Sequence, residues 1–129
     1  MGKQFFYASG ETISARLPET EAYPECTFAY TPLTRGEHAE VEDRMAKGDA
    51  PAIATLAGEV IARHVKSWNV VKGDGSPVDP KKEAATNRLV PQLTRDILGL
   101  IYRTSAGEPA QPTLDAAAAE AVEEDLKNC

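Results

Sequence analysis

One apolar stripe constrains this chain more than any other feature of its sequence. Between residues 53 and 68, apolar side chains recur at the spacings i, i+3, i+4, i+7, i+8, i+11 and i+15, which is the period of an α-helix. Asp49 is suited to cap this helix and Pro51 to its first turn. The sequence therefore predicts a helix of about four turns that buries one face. The stripe consists of Ile53, Leu56, Ala57, Val60, Ile61, His64 and Trp68.

A second apolar face follows Pro91 and consists of Leu93, Ile97, Leu100 and Ile101. Pro91 predicts a break near Val90, and the helix after it should end before Gly107. The chain has only 25 Leu, Ile, Val and Phe residues among 129, so its core should be small. One of the two faces must build that core, and any apolar surface left over is available to a partner.

The N-terminal third is typical of β-structure. Residues 3–8 are rich in aromatic side chains, and residues 12–17 and 25–31 alternate apolar with polar side chains. Thr34 and Glu37 have the spacing of a capping box, which predicts a helix running to about Lys47. We therefore expect an α+β fold, in which a small N-terminal antiparallel sheet of about three strands is packed by three to four helices.

The second half contains strong turn signals. Residues 73–75 (GDG) predict a tight turn or hairpin, and Asp79-Pro80 should open a further helix that includes Leu89. By composition, the chain divides into an α+β interaction domain (1–105), a Pro/Gly linker (106–112) and an acidic, Ala-rich tail (113–129) that is helical or disordered.

Catalytic motifs are missing from the sequence. The two histidines are 26 residues apart, and HExxH, GxSxG, P-loop and GxGxxG patterns do not occur. We expect no enzyme, no metal and no cofactor. His64 should be a core or boundary histidine with one hydrogen bond, whereas His38 should be solvated. Trp68 is expected to anchor either the core or a partner.

The charge and the cysteine content indicate which partners and which cellular compartment to expect. The net charge of −6 opposes non-specific binding to nucleic acid. No apolar run is long enough for a signal peptide or a membrane span. A disulfide between Cys26 and Cys129 stays open, but two cysteines in such a chain fit a reducing cytoplasm better. We therefore expect a cytoplasmic protein.

An ordered pattern in residues 25–104 resembles a known family. It comprises residues 28–34 (FAYTPLT), a short capped helix, residues 62–70 (ARHVKSWNV), the GDG turn, Pro77-Val78, and residues 88–91 (RLVP) followed by a helix. This pattern resembles the tail assembly chaperones of long-tailed bacteriophages and prophages. The resemblance implies a non-catalytic protein that covers the helical tape-measure protein and helps to recruit tail-tube subunits.

The apolar helix faces are the expected binding surface for such a partner. Two alternatives stay open: a structural component of the phage particle, such as a connector or tail-completion protein, and a small DNA-binding regulator. Self-association is also left open. The residues predicted to bind the partner are Ile53, Leu56, Val60, Ile61, His64, Trp68, Leu93, Ile97 and Ile101.

Overall fold

The computed structural model describes residues 7–8 and 10–107 of the chain. This part of the chain forms one three-stranded sheet and four helices, which confirms the α+β fold. The strands are β1 (Ile13–Leu17), β2 (Cys26–Tyr30) and β3 (Val65–Trp68). The helices are α1 (Arg35–Lys47), α2 (Ala50–His64), α3 (Glu83–Thr86) and α4 (Pro91–Ser105).

The sheet is antiparallel, in the order β1-β2-β3. Alternation along β2 buries Cys26, Phe28 and Tyr30 and leaves Thr27 exposed, as expected for a sheet with one covered face. The predicted strands at residues 12–17 and 25–31 are therefore confirmed. Of the predicted strand at residues 3–8, only the last two residues are described, and they lie outside the sheet. The third strand of the sheet is β3, so the sheet does not come from the N-terminal third alone.

Both predicted helix caps are present. The Thr34 hydroxyl accepts a hydrogen bond from the Glu37 amide, and the Glu37 carboxylate accepts one from the Thr34 amide at 2.9 Å. The Asp49 carboxylate accepts one from the Ala52 amide at 3.0 Å. Between the two helices, a Cβ atom at Gly48 would stand 2.8 Å from the Arg44 carbonyl oxygen. The tight junction of α1 with α2 therefore requires glycine.

The predicted extension of α2 to Trp68 is wrong. The helix ends at His64, and the next four residues form β3, which pairs with β2. The pairing is irregular at Ala29/Tyr30, so that Phe28 faces Trp68 while Tyr30 faces Val65. This bulge places Val65 and Trp68, three positions apart, on the same side of the sheet. The extension was predicted because Trp68 stands four positions after His64, a spacing that also fits a helical stripe.

Beyond β3 the chain forms the predicted turn. Val71 and Pro77 pair across it, and the Lys72 amide donates to the Ser76 carbonyl at 2.8 Å. The helix predicted from Asp79-Pro80 is shorter than expected, because α3 spans only Glu83–Thr86 and leaves Leu89 outside. Asp79 accepts from the Lys81 amide and so makes a turn instead of a helix cap.

The predicted break before Pro91 and the end of α4 before Gly107 are confirmed. Helix α4 packs against α2, and α1 and the inner face of the sheet complete the core. The predicted tail (113–129) and most of the predicted linker (106–112) lie outside the described residues.

Trp68 connects β3 to the chain that follows the turn at residues 73–75, because its indole Nε1 donates a hydrogen bond to the Val78 carbonyl at 2.7 Å. Replacing Trp68 with Phe should lower the free energy of unfolding by about 1–3 kcal/mol, since the buried carbonyl loses its donor. Chemical denaturation of both proteins measures the change. Lys66→Ala, at an exposed position of the same strand, is the control. An equal loss in the two variants would contradict this role of the indole.

Candidate functional site

The residues predicted to bind a partner mostly face inwards. Seven of the nine side chains are buried between α2, α4 and the sheet, so the two apolar faces cover each other. Ile53 and Trp68 are only partly buried and pack at the border of the core. The expectation that these faces form an open surface is thus corrected for the seven buried residues. They are Leu56, Val60, Ile61, His64, Leu93, Ile97 and Ile101.

The burial of Ile97 is a direct test of this correction. Ile97→Ala should lower the free energy of unfolding by about 2–5 kcal/mol, because it leaves a cavity in a close-packed core. Val71→Ala removes an aliphatic side chain that is 55% exposed, and it should change stability by less than about 0.5 kcal/mol. Urea denaturation provides both values. A small effect at position 97 would mean that this face is open in solution.

One groove on the surface runs along α2, and we call it the α2 groove. It has a volume of about 510 Å³. Its α2 wall carries the small residues Ala54, Thr55 and Gly58, and its other wall includes Leu89 and the start of α4. These residues were not among those predicted from the sequence to bind a partner. The signal was present, because small side chains recur on α2 beside the apolar stripe.

A second depression, the α1 cleft, lies where β2 leads into α1 and where α4 ends. It has a volume of about 870 Å³. Residues from the start of α1, from the junction of α2 with β3 and from the end of α4 line it together. They include Thr31, Arg35, Glu37, His38, Lys66 and Ser105.

His64 closes the inner end of the α1 cleft. Its side chain is buried, with Nδ1 at 3.0 Å from the Thr31 carbonyl oxygen and Nε2 at 3.4 Å from a Glu37 carboxylate oxygen. The Thr31 amide in turn donates to the His64 carbonyl at 2.9 Å. The predicted core histidine is confirmed. The contact between His64 and Glu37 had no sequence signal, because the two residues meet only in the folded chain.

The carboxyl group of Glu37 has a lowered pKa. Burial opposes its ionisation, but hydrogen bonds from Thr34 and the nearby side chains of His64 and Arg63 favour the carboxylate more strongly. Glu37 therefore combines two structural roles, because it caps α1 and contacts the end of α2. Both roles position the walls of the α1 cleft.

His38 differs from its prediction as a solvated residue. Its ring stacks on Tyr102 with a centroid distance of 4.2 Å and an interplanar angle of 11°. Its Nε2 atom is buried and has no hydrogen-bond partner among the residues that the structure describes. The packing of α1 against α4 explains the difference, since it covers a ring that an isolated helix would expose.

The described residues offer little reactive chemistry. Burial raises the pKa of the Cys26 thiol to about 11, so little of it is the nucleophilic thiolate at neutral pH. Within residues 7–8 and 10–107 there is no group of three or more His, Cys, Asp or Glu side chains arranged to hold a metal ion. None of the helices described is both long and apolar enough to cross a membrane.

Comparisons of the chain with protein-family models, with curated proteins and with solved structures gave no match. The geometry of this chain defines a small α+β domain whose surface includes the α2 groove and the α1 cleft.

The lowered pKa of Glu37 makes its contribution to stability dependent on pH. Because the carboxyl group ionises more readily in the folded state, its contribution is present above the ordinary pKa of 4.5 and is lost as the pH falls below that value. Glu37→Gln keeps the capping geometry and removes the charge. We expect the variant to be less stable than the original at pH 7 and the difference to shrink under acid conditions.

Denaturation at a series of pH values measures this difference. Glu42→Gln, at an exposed position of α1, is the matched control for the loss of one carboxylate from the same helix. A difference between the original protein and Glu37→Gln that stays constant from pH 7 to acid would refute the role of the charge.

Proposed function

We propose that this chain is a non-catalytic tail assembly chaperone or adaptor of a long-tailed bacteriophage or prophage. In this proposal it acts in the cytoplasm of the host and binds the helical tape-measure protein, with tail-tube subunits as a second partner. Its first support is the resemblance of residues 25–104 to that family. The described chain has the strand, the capped helix, the Trp-bearing segment, the turn and the Pro-initiated helix in the same order.

The α2 groove is the observation that carries the proposal. Ala54, Thr55 and Gly58 give its α2 wall short side chains, so the backbone of an added helix can approach α2 closely. Leu89 supplies an apolar contact at the other wall, and Val90 beside it is 40% exposed. A groove of this kind suits an amphipathic helix that places its apolar face against α2.

A tape-measure protein is a partner with this chemistry. A long helix that exposes apolar side chains before assembly tends to aggregate, and a protein that covers these side chains keeps it soluble. The buried stripes cannot do this, because they cover each other in the core. The proposed contact therefore moves from the faces expected from the sequence to the α2 groove, which lies beside the apolar stripe of α2.

Gly58→Arg tests the groove without disturbing the core. A Cβ atom at Gly58 meets nothing within 4 Å, so a side chain can start there without a clash, in the wall of the groove. Arg also has a higher helix propensity than Gly. The variant should bind the tape-measure protein encoded in the same phage or prophage roughly tenfold more weakly or worse, a loss of about 1.4 kcal/mol or more. Isothermal titration calorimetry with the purified partner measures the affinity.

Gly36→Arg is the matched control. Gly36 lies in α1, is exposed, and also has nothing within 4 Å of an added Cβ atom, so it adds the same charge away from the groove. Equal affinities for the two variants would exclude the groove as the binding surface. If the original protein forms no complex and the partner is equally soluble alone, the proposed function is wrong. Mass spectrometry of finished particles would detect the chain only if it were a structural component.

A further inference from the structure

The loop between β1 and β2 is held to the rest of the domain by one side chain. Residues 18–24 form most of this loop, and we call them the strap. Tyr23 is 5% exposed and belongs to the hydrophobic core, whereas every other residue of the strap is exposed. The Tyr23 hydroxyl donates a hydrogen bond to the Asp96 carboxylate of α4. Within the part of the chain that the structure describes, this is the only hydrogen bond or ion pair between the strap and other residues.

The strap also has hydrogen bonds of its own. The Thr20 amide donates to the Tyr23 carbonyl at 2.9 Å, and the Thr20 hydroxyl accepts from the Ala22 and Tyr23 amides at 3.0 and 3.2 Å. Pro18 and Pro24 stand at its two ends, where their rings fix φ. None of these features depends on contacts with the core. The strap can therefore keep its shape when it detaches.

The Asp96 carboxylate is the attachment point of the strap on α4. One of its oxygens accepts a hydrogen bond from the Gln92 side chain at 3.0 Å, and the other accepts the one from Tyr23. Burial, the Asp96 carboxylate and the nearby Cys26 thiol raise the pKa of Tyr23, so its hydroxyl keeps its proton and remains a donor. The hydrogen bond between Tyr23 and Asp96 is therefore the latch that joins the strap to α4.

Cys26 lies close to this latch. It is the first residue of β2, three positions after Tyr23, and it belongs to the same core cluster. Its side chain is 2% exposed, so the closed structure keeps the thiol from water and reagents. Detaching the strap exposes one large side chain, whereas unfolding exposes the whole core. Local opening therefore needs less free energy than unfolding.

We propose that the strap is a hinged segment that opens as one unit while the sheet and the helices stay folded. Opening breaks the hydrogen bond between Tyr23 and Asp96 and exposes Cys26, and closing reverses both changes. The Cys26 thiol then reacts in proportion to the open fraction, so the strap controls access to it. This device is independent of the function proposed above.

Alkylation of Cys26 by iodoacetamide in the folded, full-length chain tests this device. Peptide mass spectrometry follows Cys26 separately from Cys129, and the rate is measured at increasing urea concentrations. Local opening exposes little surface, so the rate at low urea should be nearly independent of urea and faster than global unfolding allows. Tyr23→Phe keeps the ring and removes the hydrogen bond to a charged group, so it should raise this rate about fivefold.

Val41→Ala is the matched control. Val41 is buried in α1, so this substitution lowers the stability of the whole fold and leaves the latch in place. It should change the rate at low urea by less than about twofold, because local opening does not involve the core around α1. The proposal fails if alkylation of the original protein has the urea dependence of global unfolding, or if Val41→Ala accelerates it as much as Tyr23→Phe does. An unchanged rate in Tyr23→Phe would also overturn it, because the hydrogen bond would then not hold the strap.

Discussion

The contact between α2 and α4 is the interaction on which the rest of this fold depends. Ile61, Ile97 and Ile101 are fully buried there, and the inner face of the sheet covers the same core. Burial of aliphatic area is the main favourable term for a domain this short of large apolar residues. Because the two helices use their apolar faces on each other, these faces are not available to other molecules.

Local features of this fold were readable from the sequence, because they depend on residues close together in the chain. Thr34 and Asp49 cap their helices through bonds to amides three residues away, and Pro91 ends one segment and opens the next. The end of α2 was not readable in this way. Trp68 fits both a helical stripe and a strand, and only the pairing of β3 with β2 decides between them.

The candidate site was harder to predict from the sequence, because it depends on contacts between residues that are far apart in the chain. The apolar stripes were found, but whether a stripe is core or surface depends on what else can cover it. The α2 groove arises from the approach of α3 and α4 to the small residues of α2, and the α1 cleft from three elements that are distant in sequence. His64 was placed correctly in the core, whereas its contact with Glu37 and the stacking of His38 on Tyr102 required the assembled helices.

The direct passage from α2 into β3 has a mechanical consequence. No loop separates His64 from Val65, and hydrogen bonds join both sides of this junction to β2 and the residue after it. Because no flexible linker lies between them, a tilt of α2 must also displace β3. A ligand that displaces α2 beside Gly58 would thus also move β3, the edge strand that pairs with β2.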